Sequence, residues 1–137
     1  MSVDKRFIDT NILLYLLSED QGKAERAEEI LSLGGVVSVQ VLNEFASTSL
    51  RKLKMTCPEV REIIDVIREM CTVVPVTLDT HSLGLDIVER YRFSFYDALI
   101  VASALENGCS LLFTEDLQHG QRIDKKLGIH NPFLSGS

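Results

Sequence analysis

Four acidic side chains fall at positions where an enzyme could use them together. Asp9 and Asp116 each follow a short apolar segment, Asp97 opens a long apolar run, and Glu44 lies within a helical pattern. Carboxylates that converge repel one another unless a cation lies among them. All-oxygen ligands favour Mg²⁺ or Mn²⁺, and these ions typically act on phosphates by polarising the phosphoryl oxygen and activating water. The four acids therefore point to metal-assisted hydrolysis of a phosphate ester.

Each of these acids also has a purely structural interpretation. Asp9 and Asp116 precede helical segments, where Asp is a common N-cap. Asp97 completes a capping-box pattern with Ser94. The helix that Asp97 opens is apolar nearly all round, which is typical of a buried helix. A buried Asp97 would need a partner for its charge. Glu44 lies opposite the predicted apolar stripe of its helix, where a solvated glutamate is expected. That stripe comprises Leu42, Phe45, Ala46, Leu50 and Leu53.

The elements that must position the acids alternate between short strands and helices. Short apolar runs predict strands at 6–8, 36–38, 72–75 and 110–113, with a weaker one at 128–130. Helical spacing predicts helices near 12–17, 21–33, 39–53, 58–70, 80–90 and 94–107. This alternation predicts an α/β fold with a mostly parallel sheet of about five strands, as one domain over 1–137. Sites in such sheets lie beyond the carboxyl ends of strands, where Asp9 and Asp116 fall.

Composition narrows the classes of partner. The 137 residues carry a net charge of −6, which disfavours a broad nucleic-acid surface unless a cation reverses the local sign. Basic residues form two groups, Arg51-Lys52-x-Lys54 and Arg122 with Lys125 and Lys126, which are either solvated helix ends or local substrate contacts. Three cysteines without a C-x-x-C pair, and no long apolar segment, predict a cytoplasmic protein without disulfides or a membrane association.

Other catalytic chemistries find little support in the sequence. It contains no P-loop, no dinucleotide-binding G-x-G-x-x-G and no G-x-S-x-G nucleophile elbow. The histidines at 81, 119 and 130 lack the spacing of zinc ligands. A phosphatase of the haloacid-dehalogenase type also begins with an aspartate after its first strand, but it requires Asp-x-Asp, and here Asn11 occupies the third position.

Four segments, in order, resemble the motifs of PIN domains. They are Phe7–Leu13 (FIDTNIL), Ser38–Phe45 (SVQVLNEF), Phe93–Ala104 (FSFYDALIVASA) and Leu112–Gln121 (LFTEDLQHGQ), and Asn131–Phe133 resembles the usual ending. The order and spacing match over nearly the whole chain. The resemblance is strongest to the VapC ribonuclease toxins of type II toxin–antitoxin systems.

This resemblance implies a three-layer α/β/α sandwich, a homodimer and an endoribonuclease that uses Mg²⁺ or Mn²⁺. It implies cleavage of RNA to a 5′-phosphate and a 3′-hydroxyl. The metal ligands would be Asp9, Glu44, Asp97 and Asp116, although either Glu115 or Asp116 could reach the metal. The residues that position ligands or water would be Thr10, Asn11, Thr114 and Glu115.

The same resemblance implies contacts with two macromolecules. RNA would be bound through the metal and a few basic side chains, namely Arg51, Lys52, Lys54, His119 and Arg122. A cognate antitoxin would cover apolar surface near the site and place a cationic side chain among the carboxylates. Two alternatives within the family stay open, a PIN-domain nuclease of RNA processing and a non-catalytic module that binds a partner.

Overall fold

A computed structural model describes residues 5–134 of the chain. This range forms six strands and six α-helices. The strands are β1 (Arg6–Ile8), β2 (Gly35–Ser38), β3 (Cys71–Val74), β4 (Leu111–Phe113), β5 (Arg122–Ile123) and β6 (Leu127–His130). The helices are α1 (Thr10–Leu14), followed by a 3-10 turn at Tyr15–Leu17, α2 (Gln21–Ser32), α3 (Val39–Arg51), α4 (Cys57–Met70), α5 (Leu78–Tyr91) and α6 (Phe95–Glu106).

The strands form one sheet whose order creates a crevice. The order is β3-β2-β1-β4-β6-β5, and all neighbours are parallel except β5, which is antiparallel to β6. The chain adds β2 and β3 on one side of β1, and then returns to place β4 on the other side. Ligands of open α/β sheets bind beyond the carboxyl ends of the two strands at such a reversal. Asp9 directly follows β1 and Thr114 directly follows β4, so both residues border this crevice.

Helices cover both faces of the sheet. Helices α1 to α4 belong to the crossovers from β1 to β2 and from β2 to β3, and they form one connected group of contacts. Helices α5 and α6 belong to the crossover from β3 to β4, which runs in the opposite direction, and they pack against each other. Because such crossovers are right-handed, opposite directions place the helices on opposite faces. The predicted three-layer α/β/α sandwich with a mostly parallel sheet is confirmed.

Burial on both faces of the sheet explains why the strands do not alternate between apolar and polar residues. Phe7, Ile8, Val37 and Leu112 are 0% exposed, as expected for strands covered on both faces. Every residue of α6 from 98 to 104 is buried, so this helix fills the core of its layer and presents its first turn at the sheet edge. None of the helices within residues 5–134 is long and apolar enough to cross a membrane.

The sheet contains one strand more than the five expected. Strand β5 is two residues long and pairs with β6 through a tight turn in which Asp124 and Lys125 both have positive φ angles, 52° and 60°. Lys126 N donates to Ile123 O across this turn over 2.9 Å. A two-residue strand has no measurable periodicity, and Asp-Lys lacks the glycine that usually marks such a turn.

The buried stripe of α3 differs in phase from the prediction. Val41, Phe45 and Ser49 are buried, whereas Leu50 and Leu53 are 38% and 47% exposed. The prediction was therefore correct at Phe45 and wrong at the C-terminal end of the helix. Since each residue turns a helix by about 100°, this change of phase moves Glu44 from the far side of the helix to the flank of its buried face.

Candidate active site

The Asp9 carboxylate lies in the crevice between β1 and β4. As the N-cap of α1, its Oδ1 accepts a hydrogen bond from Thr10 N over 2.7 Å. Its Oδ2 accepts a second bond, 2.8 Å long, from the hydroxyl of Thr114. Asp9 is 5% exposed. The capping interpretation is therefore correct, and it leaves a buried carboxylate clamped between the ends of two adjacent strands.

The surroundings of Asp9 disfavour the ionised form of its carboxyl group. Burial raises the pKa of the Asp9 carboxyl to about 7, against the lowering effect of the hydrogen bonds from Thr114 and Thr10. The negative charges of Asp116 and Glu44 raise this pKa further. A carboxylate held in this way gains from a nearby cation, which would offset both its desolvation and the repulsion from its neighbours.

Glu44 reaches the same region from α3. It is half-buried, and its Oε1 accepts a 2.8 Å hydrogen bond from the Thr10 hydroxyl, so Thr10 connects Glu44 to the N-cap of α1. Glu44 also lines two surface cavities. The sequence interpretation of Glu44 as a functional residue required its side of α3 to line a cleft, and the structure meets that requirement.

Asp97 faces these acids from the first turn of α6. Its backbone N–H donates to Ser94 Oγ over 3.3 Å. Partial burial raises the pKa of the Asp97 carboxyl, the Ser94 hydroxyl lowers it, and the charges of Asp116 and Glu44 raise it again. The sequence predicted a buried Asp97 in need of a partner, but Asp97 is only half-buried, and Asp9 is the more deeply buried of the two. The apolar helix buries the turns after Asp97 rather than Asp97 itself.

Asp116 and Glu115 follow β4 and point to different surroundings. Asp116 is exposed, and its charge acts on both Asp9 and Asp97. Glu115 instead acts on Tyr15, whose pKa is raised first by burial and then by its interaction with the Glu115 carboxylate. Asp116 is therefore the neighbour of the other three acids, and Glu115 lies toward the end of the first helical segment.

Asn11 and Thr114 connect the two strand ends that carry the acids. Asn11 Nδ2 donates to Thr114 Oγ1 over 3.4 Å, and Asn11 Oδ1 accepts from Glu115 N over 3.3 Å. Thr114 Oγ1 also accepts from Asp116 N over 3.0 Å, while its own proton goes to Asp9. Thr114 is 0% exposed. One buried hydroxyl thus fixes the positions of Asp9 and of the backbone that carries Asp116.

The four acids lie around one open region and do not enclose a space for a metal ion. Within residues 5–134, no three His, Cys, Asp or Glu side chains are assembled closely enough to enclose a metal ion. The mutual effects on pKa nevertheless place Asp9, Glu44, Asp97 and Asp116 within electrostatic range of one another. Such an open arrangement of oxygen donors suits Mg²⁺, which usually keeps several waters and takes only one or two carboxylates directly.

The five basic candidates do not share one location. Arg51 lies seven residues after Glu44 on the same face of α3, about 10 Å along the helix axis, and Lys52 and Lys54 are exposed just beyond it. His119 is exposed, and its Nδ1 accepts from Asn131 N over 2.9 Å beyond the end of β6. Arg122 pairs with Gly128 where β6 begins, so the structure does not bring it to the acids.

Further residues of this region were not singled out from the sequence. A cavity of about 620 Å³ adjoins Glu44 and is lined by Val39, Gln40, Asn43, Val76, Tyr96 and Leu99 among others. A second, of about 320 Å³, is lined by Thr10, Asn11, Leu14, Ser47, Thr48 and Asp116 together with Glu44. The polar residues of α3 at 40, 44, 47 and 48 recur at helical spacing. That stripe was the signal that could have identified them.

The mostly parallel sheet, with acids at the point where its strand order reverses, defines a PIN-like α/β fold. A family model described as PIN domain matches residues 6–126. The chain therefore belongs to the PIN domain family. A search of curated proteins gives no significant match.

Several solved structures share this fold. A toxin–antitoxin complex from Klebsiella pneumoniae is 19% identical with a TM-score of 0.71, and the match covers 94% of this chain and 98% of that chain. The sarcin–ricin loop cleaving toxin VapC20 of Mycobacterium tuberculosis is 19% identical with a TM-score of 0.63, covering 82% and 92%. VapBC2 from Rickettsia felis, bound to promoter DNA, is 16% identical with a TM-score of 0.62, covering 92% and 98%.

Proposed function

We propose that this protein is an endoribonuclease that hydrolyses RNA phosphodiesters with Mg²⁺ or Mn²⁺, and that it acts as the toxin of a VapBC-type pair. The observation that carries the proposal is the Asp9 carboxylate, buried and clamped at the strand reversal beside three further acids. Membership of the PIN domain family supports a nuclease, and the similar fold of the VapC20 toxin supports RNA as the substrate.

The residues at the site fit a divalent cation. Asp9, Glu44, Asp97 and Asp116 offer only carboxylate oxygens, which suits Mg²⁺ or Mn²⁺ and disfavours softer metals. Burial, and after it the negative charges of neighbouring acids, raise the pKa values of Asp9 and Asp97, so a cation bound there would stabilise both carboxylates. When bound, the metal would lower the pKa of a water molecule and stabilise the charge that develops on the phosphate.

The side chains around the acids hold them in position. Thr114 and Thr10 N fix both oxygens of Asp9, so the carboxylate cannot rotate away from the crevice. The Thr10 hydroxyl orients Glu44, and Asn11 holds the backbone of the loop that carries Asp116. Positions fixed in this way before the substrate binds reduce the entropic cost of reaching a reactive geometry. Arg51 lies on the Glu44 face of α3, and we expect it to contact the RNA backbone.

The proposal includes two protein partners. The Klebsiella pneumoniae and Rickettsia felis structures contain toxin–antitoxin assemblies, which supports a cognate antitoxin for this chain. An antitoxin cation among the four carboxylates would compete with the metal for the same charge. Large exposed apolar side chains, including Leu53 and Leu78, supply surface for the antitoxin and for a homodimer.

RNA cleavage by purified variants tests the proposed activity. The wild type should cut single-stranded RNA with Mg²⁺ or Mn²⁺, should stop in excess chelator, and should leave 5′-phosphate ends. Asp9→Asn and Asp97→Asn should each lower the rate at least a hundredfold, about 2.7 kcal/mol of barrier. Asp65→Asn, which alters an exposed carboxylate on α4, is the matched control. Equal cleavage by the wild type and both site variants would refute the proposal.

A further inference from the structure

Two of the four acids belong to different helical layers. Glu44 lies on α3, in the layer of α1 to α4, whereas Asp97 lies in the first turn of α6, which packs with α5 on the other face of the sheet. Within residues 5–134, the extensive helix–helix contacts join helices of the same layer. The spacing of these two carboxylates therefore depends on the sheet and on whatever else joins the two layers at its carboxyl edge.

The side chain of Gln40 joins the two layers at this edge. Its Nε2 donates to the backbone oxygen of Tyr96 over 3.2 Å. Gln40 lies four residues before Glu44 and so on the same face of α3. Tyr96 directly precedes Asp97, so the carbonyl that accepts this bond belongs to the peptide group leading into Asp97. One hydrogen bond thus links the two helical turns that carry these acids.

The other end of the Gln40 amide carries a cost. Its Oε1 is buried and has no hydrogen-bond partner among residues 5–134. A buried acceptor in this state has lost its water without gaining a partner, which destabilises the folded protein. An apolar side chain of the same length would avoid this cost. Stability alone therefore does not account for a glutamine here, and local costs of this kind are typical of functional sites.

The link matters because the two acids repel each other. The pKa of Asp97 is raised by partial burial and then by the charges of Asp116 and Glu44. Like charges of this kind favour a wider spacing whenever no cation lies between them. A small divalent cation such as Mg²⁺ tolerates little variation in the geometry of its ligands. A bond that limits the separation of α3 and α6 therefore reduces the reorganisation needed when the metal binds.

We propose that Gln40 is a positioning residue of the metal site, which holds the first turn of α6 to α3 and so keeps Glu44 and Asp97 at the spacing that one divalent cation requires. Gln40 acts through the Tyr96 backbone and does not itself reach the metal. The proposal rests on the proposed function, because it concerns the same metal site.

Gln40→Met tests this role, because methionine keeps the length of the side chain and removes both the donor and the unpaired acceptor. Calorimetric titration should show Mn²⁺ binding weakened about three- to tenfold. Urea unfolding in excess chelator should show a midpoint equal to or above that of the wild type, because the buried acceptor is gone. Asn43→Leu removes an exposed amide from the same helix and the same cavity, and as the control it should leave Mn²⁺ affinity unchanged.

A double-mutant cycle distinguishes positioning from a general effect on the fold. In the Asp97→Asn background, Gln40→Met should weaken Mn²⁺ binding by less than about twofold, because the bond no longer positions a charged ligand. Three results would overturn the role of Gln40. They are an unchanged Mn²⁺ affinity in Gln40→Met, a lower unfolding midpoint that accompanies its loss of affinity, and losses that multiply fully in the double variant.

The wild-type titration separates this proposal from the one on which it rests. A folded wild type that binds no Mn²⁺ would refute both the metal site and the role of Gln40. A wild type that binds Mn²⁺ and cuts RNA, beside a Gln40→Met variant of equal Mn²⁺ affinity, would refute only the role of Gln40.

Discussion

The hydroxyl of Thr114 lies 2.8 Å from Oδ2 of Asp9 and joins the end of β4 to the end of β1. The same oxygen accepts from the backbone N–H of Asp116. Two of the four acids therefore depend on one buried side chain that is 0% exposed. Residues that orient ligands in this way commonly contribute 10- to 100-fold to metal affinity.

Thr114→Val keeps the shape of this side chain and removes its hydrogen bonds. We expect the Mg²⁺ concentration for half-maximal RNA cleavage to rise about tenfold, because Asp9 is no longer held. The free energy of unfolding should fall by about 1–3 kcal/mol, since Asp116 N loses its partner. Thr72→Val on the edge strand β3, at an exposed position, is the control. A loss of stability with unchanged Mg²⁺ dependence would show a purely structural role.

Asp9→Asn should stabilise the metal-free protein at alkaline pH. The pKa of Asp9 is about 7 in the folded protein against 3.8 without burial. The folded state therefore keeps a proton that the unfolded state has released, and the free energy of unfolding falls as pH rises between these values. At about 1.4 kcal/mol per pKa unit, the upper limit of this cost is roughly 4 kcal/mol at pH 8.

Urea unfolding in excess chelator at pH 5 and pH 8 measures this effect. The advantage of Asp9→Asn should be larger at pH 8 than at pH 5, because burial, and after it the charges of Asp116 and Glu44, opposes ionisation of Asp9 in the folded protein. Asp65→Asn should show no such pH dependence, since that carboxylate is exposed. If the free energy of unfolding of the wild type and of Asp9→Asn changed with pH in parallel, Asp9 would not be a buried carboxylate that is costly to ionise without a cation.

Asp116 and Glu115 provide a matched pair of adjacent acids. We expect Asp116→Asn to lower RNA cleavage at least a hundredfold, because its charge acts on both Asp9 and Asp97. Glu115→Gln should stay within about threefold of the wild type, because Glu115 contacts Tyr15 instead. Initial rates at saturating Mg²⁺ distinguish the two. The reverse order of effects would assign the ligand to Glu115.

Much of this architecture follows from local sequence signals. The strand ends at Ile8 and Phe113 were predictable because strands covered on both faces are continuous apolar runs between polar residues. The apolar character of α6 likewise predicts its burial, which the structure confirms. The junctions after these strands then place Asp9 and Asp116 at one edge of a parallel sheet.

Other features depend on tertiary packing that the sequence does not encode locally. The phase of α3 is set by the packing of Val41 and Phe45 in the core, so apolar spacing alone placed Leu50 inside and Glu44 outside. The deep burial of Asp9 comes from two strands that are 105 residues apart in the chain and meet at Thr114. The cavity beside Glu44 is lined by residues of α3 and α6, two helices that only the fold brings together.

Calorimetric titration with Mn²⁺ tests the central claim most directly, namely that Asp9 and the acids around it form a divalent-metal site. The wild type and Asp65→Asn should show the same saturable binding, and Asp9→Asn should weaken it at least tenfold. Comparison of the metal-free unfolding profiles establishes that all three proteins are folded. Absence of binding to the folded wild type, or equal affinity in Asp9→Asn, would contradict the account.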